Sequence, residues 1–421
     1  MRLLWITNIK VECGDNETCR GGWMTGALDY LLDNTGYEIV IVYPNGEKND
    51  DSGNSQIDYA TFTYNIVTTK YDESICQQFI NIYAEYQPDV IHIWGTEYLH
   101  SYAAVTAAEK MKLLDKVIIS IQGLVSIYSN HYALGIPERY HGAGTLPDVI
   151  YGRTIKDRIR LFKQRGIYEQ MALKKVHYVI GRTSWDKACV QQINPDVKYL
   201  FCNEIMRNPF YLSDKWELSK CVQHSIFISQ ATYPVKGFHF VVEAIKYVKN
   251  KFPNVRVYVA GGSAFDKKGE TSFIKRCLQM STYEKYLYRE IYDNGLQENF
   301  CFLGQLSAVQ MKEQYLKANV FVSASTIENS SNSIVEAMLL GVPVISSYVG
   351  GITDMIVHKK DGILYPCDEP YMLAYYIIEI FQDASMAEQI SYNAREKTIK
   401  MHDRETIGKK MVSIYENIQL S

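Results

Sequence analysis

Two carboxylates stand eight positions apart in the run Glu328-Asn-Ser-Ser-Asn-Ser-Ile-Val-Glu336. The first lies on a polar stretch after an apolar run at 320–323. The second lies in the opening turns of a helix expected to begin near Asn332 or Ser333. A helix start offers unpaired N–H groups and the positive end of the helix dipole, which suits a diphosphate. Carboxylates beside it can accept bonds from sugar or ribose hydroxyls. The same residues also read as a capping box, Ser333-Ile-Val-Glu336. In that reading Glu336 only closes the helix and Glu328 is a solvated loop residue.

Other chemistry-bearing residues also follow strand-like runs. Lys236, in Thr232-Tyr-Pro-Val-Lys236-Gly237, is a point charge for phosphate oxygens or a plain solvated lysine. Arg182, in Gly181-Arg-Thr-Ser-Trp-Asp186, is a second candidate cation or the salt-bridge partner of Asp186. Gly21 and Gly22 precede an expected helix, and a glycine pair lets the backbone approach a ligand closely or simply turn. Gln122 offers a hydrogen-bonding amide but cannot serve as a base. Gly262 and Leu306 close two further strand-loop segments.

Something must hold these loops. Near-continuous apolar runs at 3–7, 38–43, 90–94, 117–121 and 177–180 predict strands covered on both faces. Stretches with helical spacing, such as 23–32 and 101–112, separate them. The pattern restarts at 225–229, 255–260, 300–303, 320–323 and 342–346, with helices at 238–249 and 308–317 between. Residues 386–418 are helical in pattern. The fold class is α/β, with two doubly wound, Rossmann-like parallel sheets. The expected division is a first domain over 1–208, a second over 209–395, and a terminal helix over 396–421 that packs back on the first. In open α/β sheets ligands bind beyond the carboxyl ends of the strands, which is where the singled-out residues lie.

The run from Glu328 through Gly341-Val-Pro343, Gly350-Gly351-Ile-Thr-Asp354 and Asp361-Gly362 resembles the donor-binding segment of family 4 glycosyltransferases. These are retaining enzymes of the GT-B fold, whose two domains face across a cleft. The resemblance is densest from about 225 to 370. It implies that Glu328 meets the sugar hydroxyls and Glu336 the ribose, with the amides of Ser330, Ser331, Asn332 and Ser333 facing sugar and phosphates. It implies that Lys236 neutralises the leaving diphosphate, that Gly21 and Gly22 face the phosphates, and that Gly262 and Leu306 approach the nucleotide. It places Gln122 near the acceptor. The family pattern also differs in places. The arginine that accompanies Lys236 is replaced near Gln230 and Ala231, which makes Arg182 a candidate substitute. Asn-Ser-Ser follows Glu328 where Gly-Phe-Gly is usual.

The resemblance implies catalysis by Lys236 and Glu328 in transfer from a nucleotide-sugar donor to a saccharide or lipid-linked saccharide, as in surface polysaccharide assembly. It implies no cofactor and no metal, and no DxD-type motif stands out. An epimerase, a phosphorylase or a silent nucleotide-sugar-binding protein are the alternatives.

Composition narrows the class. The chain has 421 residues, room for two domains of roughly 200. With 47% hydrophobic and 22% charged residues and a formal net charge of -3, it lacks the basic footprint of a nucleic-acid binder. Nine scattered cysteines without a CxxC fit reduced thiols in a cytoplasm. No apolar stretch is long enough to span a membrane. Between Arg153 and Lys175, eight basic residues against two acidic ones interleave with apolar positions. Such a helix suits the inner face of an anionic membrane as a peripheral contact, or a solvated surface.

Overall fold

The computed structural model describes residues 1–12, 22–46, 54–65, 70–142, 144, 148, 152, 154–212, 214–262 and 280–420. Two compact units divide the chain. The first comprises Met1–Ser129, Leu161–Asn208 and Met401–Ser421, and the second Asn130–Arg160 and Pro209–Lys400. Residues 130–160, expected in the first domain, group with the second unit. There His131 O accepts from Thr326 Oγ1 at 2.9 Å, and Leu134 O lies 2.8 Å from His239 Nε2.

The first unit is built on seven parallel strands in the order β3-β2-β1-β4-β5-β6-β7. They are β1 (Arg2–Ile6), β2 (Glu38–Pro44), β3 (Ile57–Phe62), β4 (Val90–Trp94), β5 (Val117–Ser120), β6 (Tyr178–Gly181) and β7 (Lys198–Phe201). The central strands are buried on both faces, with Leu3, Leu4, Trp5 and Ile6 of β1 and all of β4 inside. This explains their unbroken apolar runs. β3 and β7 are the sheet's edges, and their exposed positions break the run. Helices α1 (Gly22–Asn34), α2 (Glu73–Tyr86), α3 (Leu99–Lys110) and α4 (Val125–His131) connect the first strands. α5 (Ile155–Leu173) and α6 (Ser184–Ile193) follow.

The second unit has six parallel strands in the order β10-β9-β8-β11-β12-β13. These are β8 (Ser225–Ile228), β9 (Arg256–Ala260), β10 (Phe300–Gly304), β11 (Val320–Ser323), β12 (Val344–Ser347) and β13 (Ile363–Tyr365). The helices are α7 (Phe238–Lys251), α8 (Thr282–Asp293), α9 (Ala308–Lys317), α10 (Asn332–Leu340), α11 (Ile352–Met355), α12 (Pro370–Gln382) and α13 (Ala384–Met401). In α7 the residues Phe238, Val241, Val242, Ile245 and Val248 recur at helical spacing and are buried.

The helical stretch at the end of the sequence is two helices, α13 and α14 (Arg404–Gln419). Asp403 divides them by capping α14, its carboxylate accepting from Thr406 N at 2.8 Å. α14 completes the first unit: Tyr415 OH lies 2.6 Å from Nδ1 of His92 on β4.

The basic stretch is narrower than its composition suggests. Lys156, Arg158, Arg160, Lys163 and Lys174 are exposed, but Arg165 is buried over the Tyr98 ring. Arg153 lies outside the described residues. Among the described residues, no helix is long and apolar enough to cross a membrane.

Candidate active site

In the second unit the chain leaves β8 and makes a short turn, Pro234–Lys236, before α7. Gly237 joins turn to helix at φ 63°, and a Cβ there would collide with Ala324 O. Only glycine fits both demands. The turn lays Lys236 against the loop after β11, where Lys236 Nζ meets Glu328 Oε2 at 2.7 Å. Ser325 Oγ donates to the same oxygen at 3.0 Å. The solvated readings of Lys236 and Glu328 fail here, because Glu328 is buried and the lysine is paired. Burial opposes the ammonium charge, but the neighbouring Glu328 carboxylate and Tyr233 outweigh it and hold Lys236 well above the ordinary lysine pKa. The lysine is therefore cationic at any working pH.

The capping-box reading of Glu336 also fails. The N-cap of α10 is Ser331, not Ser333, and its side chain makes no capping bond. Glu336 is thus the fifth helical residue and is buried, with Tyr315 OH 3.5 Å from its Oε2. Tyr315 OH also bonds Ser333 O at 3.0 Å, tying α9 to the start of α10. Lys236, Glu328 and the first turn of α10 are therefore brought together on loops at the carboxyl ends of β8 and β11. Ser330, Asn332 and Ser333 remain partly exposed, and Ser331 is buried. Gly262 follows β9 and lies beside Gln305, and Leu306 follows β10. Gly261 N bonds Gly304 O at 2.9 Å, which joins these two loops.

The remaining expected residues lie in the first unit. Arg182 follows β6, and its backbone N donates to Asp186 Oδ2 at 2.9 Å. Its Nη1 meets Glu204 Oε2 at 2.8 Å, both side chains being almost fully buried. Asp186 also caps α6, accepting from Thr183 N while Thr183 Oγ1 accepts from Asp186 N. Gln122 is drawn into the same group: its Nε2 donates to Glu204 Oε1 at 2.7 Å. Arg182 Nη2 donates to Gln122 Oε1 at 3.4 Å and to Ile121 O at 3.3 Å. These three side chains lock the loops after β5, β6 and β7 to one another. They border a small cavity of about 10 Å³ with His92, Trp94 and Met411. Gly22 opens α1, and Gly21 lies outside the described residues.

Glu204 carries no signal in the sequence, because β7 before it does not read as a strand there. Tyr315 and Ser325 likewise gain their contacts only from the fold. Among the described residues no group of three or more His, Cys, Asp or Glu side chains could hold a metal.

Residues 219–397 match the model of the family described as glycosyl transferases, group 1. The match covers less than half of the chain. An uncharacterized glycosyltransferase of Methanocaldococcus jannaschii is 26% identical over 192 residues, 45% of this chain and 44% of that protein. The capsular polysaccharide biosynthesis glycosyltransferase CapM of Staphylococcus aureus is 25% identical over 188 residues, 43% of this chain and 42% of CapM. The alignments thus span less than half the length of these group 1 relatives. Whole-chain likeness comes from solved structures and concerns the fold. Sucrose-phosphate synthase from Thermosynechococcus elongatus superposes with a TM-score of 0.69 at 16% identity, covering 99% of this chain and 98% of that one. Anabaena HepE in complex with UDP-glucose gives 0.68 at 15% identity, covering 99% and 100%. The two parallel sheets are those of the GT-B class.

Proposed function

We propose that this protein transfers a sugar from a nucleotide diphosphate donor to an acceptor hydroxyl with retention of anomeric configuration. The observation that carries the reading is the Lys236–Glu328 pair beside the start of α10. Cleavage of the anomeric bond places negative charge on the departing diphosphate. A cation and a helix N-terminus fixed in advance stabilise that charge without reorganising. Glu328 and Glu336 then accept hydroxyls of the sugar and the ribose, and Ser330 to Ser333 offer amides. Gly21, Gly22, Gly262 and Leu306 complete the donor contacts in this reading. Arg182 would join them only by giving up Glu204. No metal is needed, because Lys236 supplies the positive charge.

The acceptor in this proposal is a saccharide or lipid-linked saccharide of surface polysaccharide assembly, met on the Gln122 side. Relatives whose names include capsular polysaccharide and colanic acid biosynthesis support that choice. The exposed basic face of α5, with Ile167 and Met171 also exposed, suits peripheral contact with the cytoplasmic side of an anionic membrane.

The test is turnover of UDP-glucose and other nucleotide sugars, with and without p-nitrophenyl glycosides as acceptors. Transfer by the wild type and its loss in Lys236→Ala are expected. Equal absence of turnover in both proteins, with every donor, would defeat the proposal.

A further inference from the structure

The first unit contains two carboxyl groups that the reading above does not use, the half-buried Glu97 and the fully buried Glu169. Burial pushes both up to about 7. Their surroundings differ. Glu169, on α5, is saturated: it accepts from Val125 N at 2.9 Å, Ser126 N at 3.0 Å, Ser126 Oγ, and Thr96 Oγ1 at 3.0 Å. It holds the start of α4 and the loop after β4, which accounts for its burial.

Glu97 instead draws on backbone amides, those of Glu97, Gly123 and Thr96. It lies three residues beyond β4, in Gly95-Thr96-Glu97. Its Oε2 is shielded from solvent yet meets no hydrogen-bond donor among the described residues. Buried polar atoms are nearly always paired, so an orphan oxygen calls for a role. The turn is shaped around it: Gly95 has φ 95°, and a Cβ there would collide with Glu97 Oε2. Desolvation raises the Glu97 carboxyl, while the backbone amides of Glu97, Gly123 and Thr96 and the Arg182 charge pull the other way.

Its place in the sheet gives the orphan oxygen meaning. In the order β3-β2-β1-β4-β5-β6-β7 the winding reverses between β1 and β4. Open α/β sheets bind ligands at that reversal, beyond the strands' carboxyl ends. Glu97 stands on the β4 side of it, and Gln122 and Gly123 follow the neighbouring β5. Both lie outside residues 219–397, the segment that matches the family model.

We propose, resting on the glycosyltransferase reading, that Glu97 accepts a hydrogen bond from an acceptor hydroxyl and so helps to select a polyhydroxylated acceptor. The orphan Oε2 takes the O–H, and the loop amides around Gly123 hold the carboxyl in place. Glu169 is a positioning residue that fixes this loop from behind.

The experiment uses the full chain. A nucleotide sugar and p-nitrophenyl glycoside that the wild type joins are chosen first. Wild type, Glu97→Gln and Glu97→Ala are then compared in acceptor kinetics, acceptor-free donor hydrolysis and melting temperature. Losing a hydrogen bond to a charged group predicts a fall of roughly 10- to 100-fold in acceptor kcat/KM, mainly through KM. Donor hydrolysis should stay within about twofold of wild type. Unchanged acceptor kinetics in Glu97→Gln would overturn the inference. So would a parallel fall of transfer, hydrolysis and melting temperature, which marks a structural role. If the wild type turns over no nucleotide sugar, the transferase reading itself fails and this inference goes with it.

Discussion

Each unit sets a candidate-site cation against a buried carboxylate on the loops beyond its strands, and the two pairs are built oppositely. In the second unit Lys236 Nζ meets Glu328 at 2.7 Å and keeps about a quarter of its side chain exposed, at 24%. In the first unit Arg182 is only 4% exposed and divides its guanidinium among Glu204, Gln122 and Ile121 O. A cation meant for a ligand must stay reachable and change partners cheaply. A cation meant to tie loops together is best buried and fully spent. Under the proposed function, the difference separates gripping from fastening within one chain.

The largest effect that could break this contrast is on stability. Arg182→Ala leaves Glu204 buried without its partner and should cost about 3–5 kcal/mol in urea unfolding. A loss below about 1 kcal/mol, typical of an exposed pair, would show that Arg182 fastens nothing. Lys236→Ala should do the reverse. It should lower kcat by about 3 kcal/mol of barrier, on the order of 100-fold, while shifting stability far less. Comparable unfolding curves beside collapsed turnover would confirm the division. Glu336→Gln keeps shape and hydrogen-bonding capacity but removes charge. Its expected cost is about 1.5–3 kcal/mol in donor kcat/KM, and unchanged donor kinetics would remove Glu336 from the ribose.

Acid gives the mildest test. Burial holds His92 and His100 down to about 3, and His239 and His402 down to about 4. Each is neutral when folded and protonates near 6.5 when unfolded, so its contribution is complete above pH 6.5 and is lost as pH falls toward 4. Glu97 and Glu169, raised to about 7, act in the opposite sense between pH 7 and 4.5, where the folded state binds the proton first. Melting temperature should therefore decline gently from pH 6.5 to 4.5 and more steeply just below. Lys236 stays charged throughout, so activity lost at acid pH should follow unfolding or Glu97, not the lysine.

The parts legible in the sequence were those governed by local pattern. Central strands such as β1 and β4 are apolar on both faces, and α9 begins and ends where its pattern does. The edge strands β3 and β7 were not legible, because half-exposed strands carry polar residues and resemble loops. β13 is three residues long, too short for any periodicity. At the candidate site, Lys236 and Glu328 could be named from their loops. Their direct pairing could not, because 92 positions separate them. Arg182 shows the limit most clearly. Asp186 is its neighbour in sequence, but the helix cap claims Asp186, and Glu204 arrives from a strand that the pattern hid. Glu97 was within reach, being a carboxylate on a loop after a recognised strand. Its orphan oxygen, which gives it interest, is visible only in three dimensions.

The interleaving of the chain bears on how it is made. As the polypeptide leaves the ribosome, every strand of the first sheet emerges before any of the second, yet α14, which places Tyr415 against His92, follows the whole second unit. The sheet translated first is therefore finished last. A stop codon near position 400 would spare the whole of the second unit and strip a wall from the first, far away in sequence from the lesion.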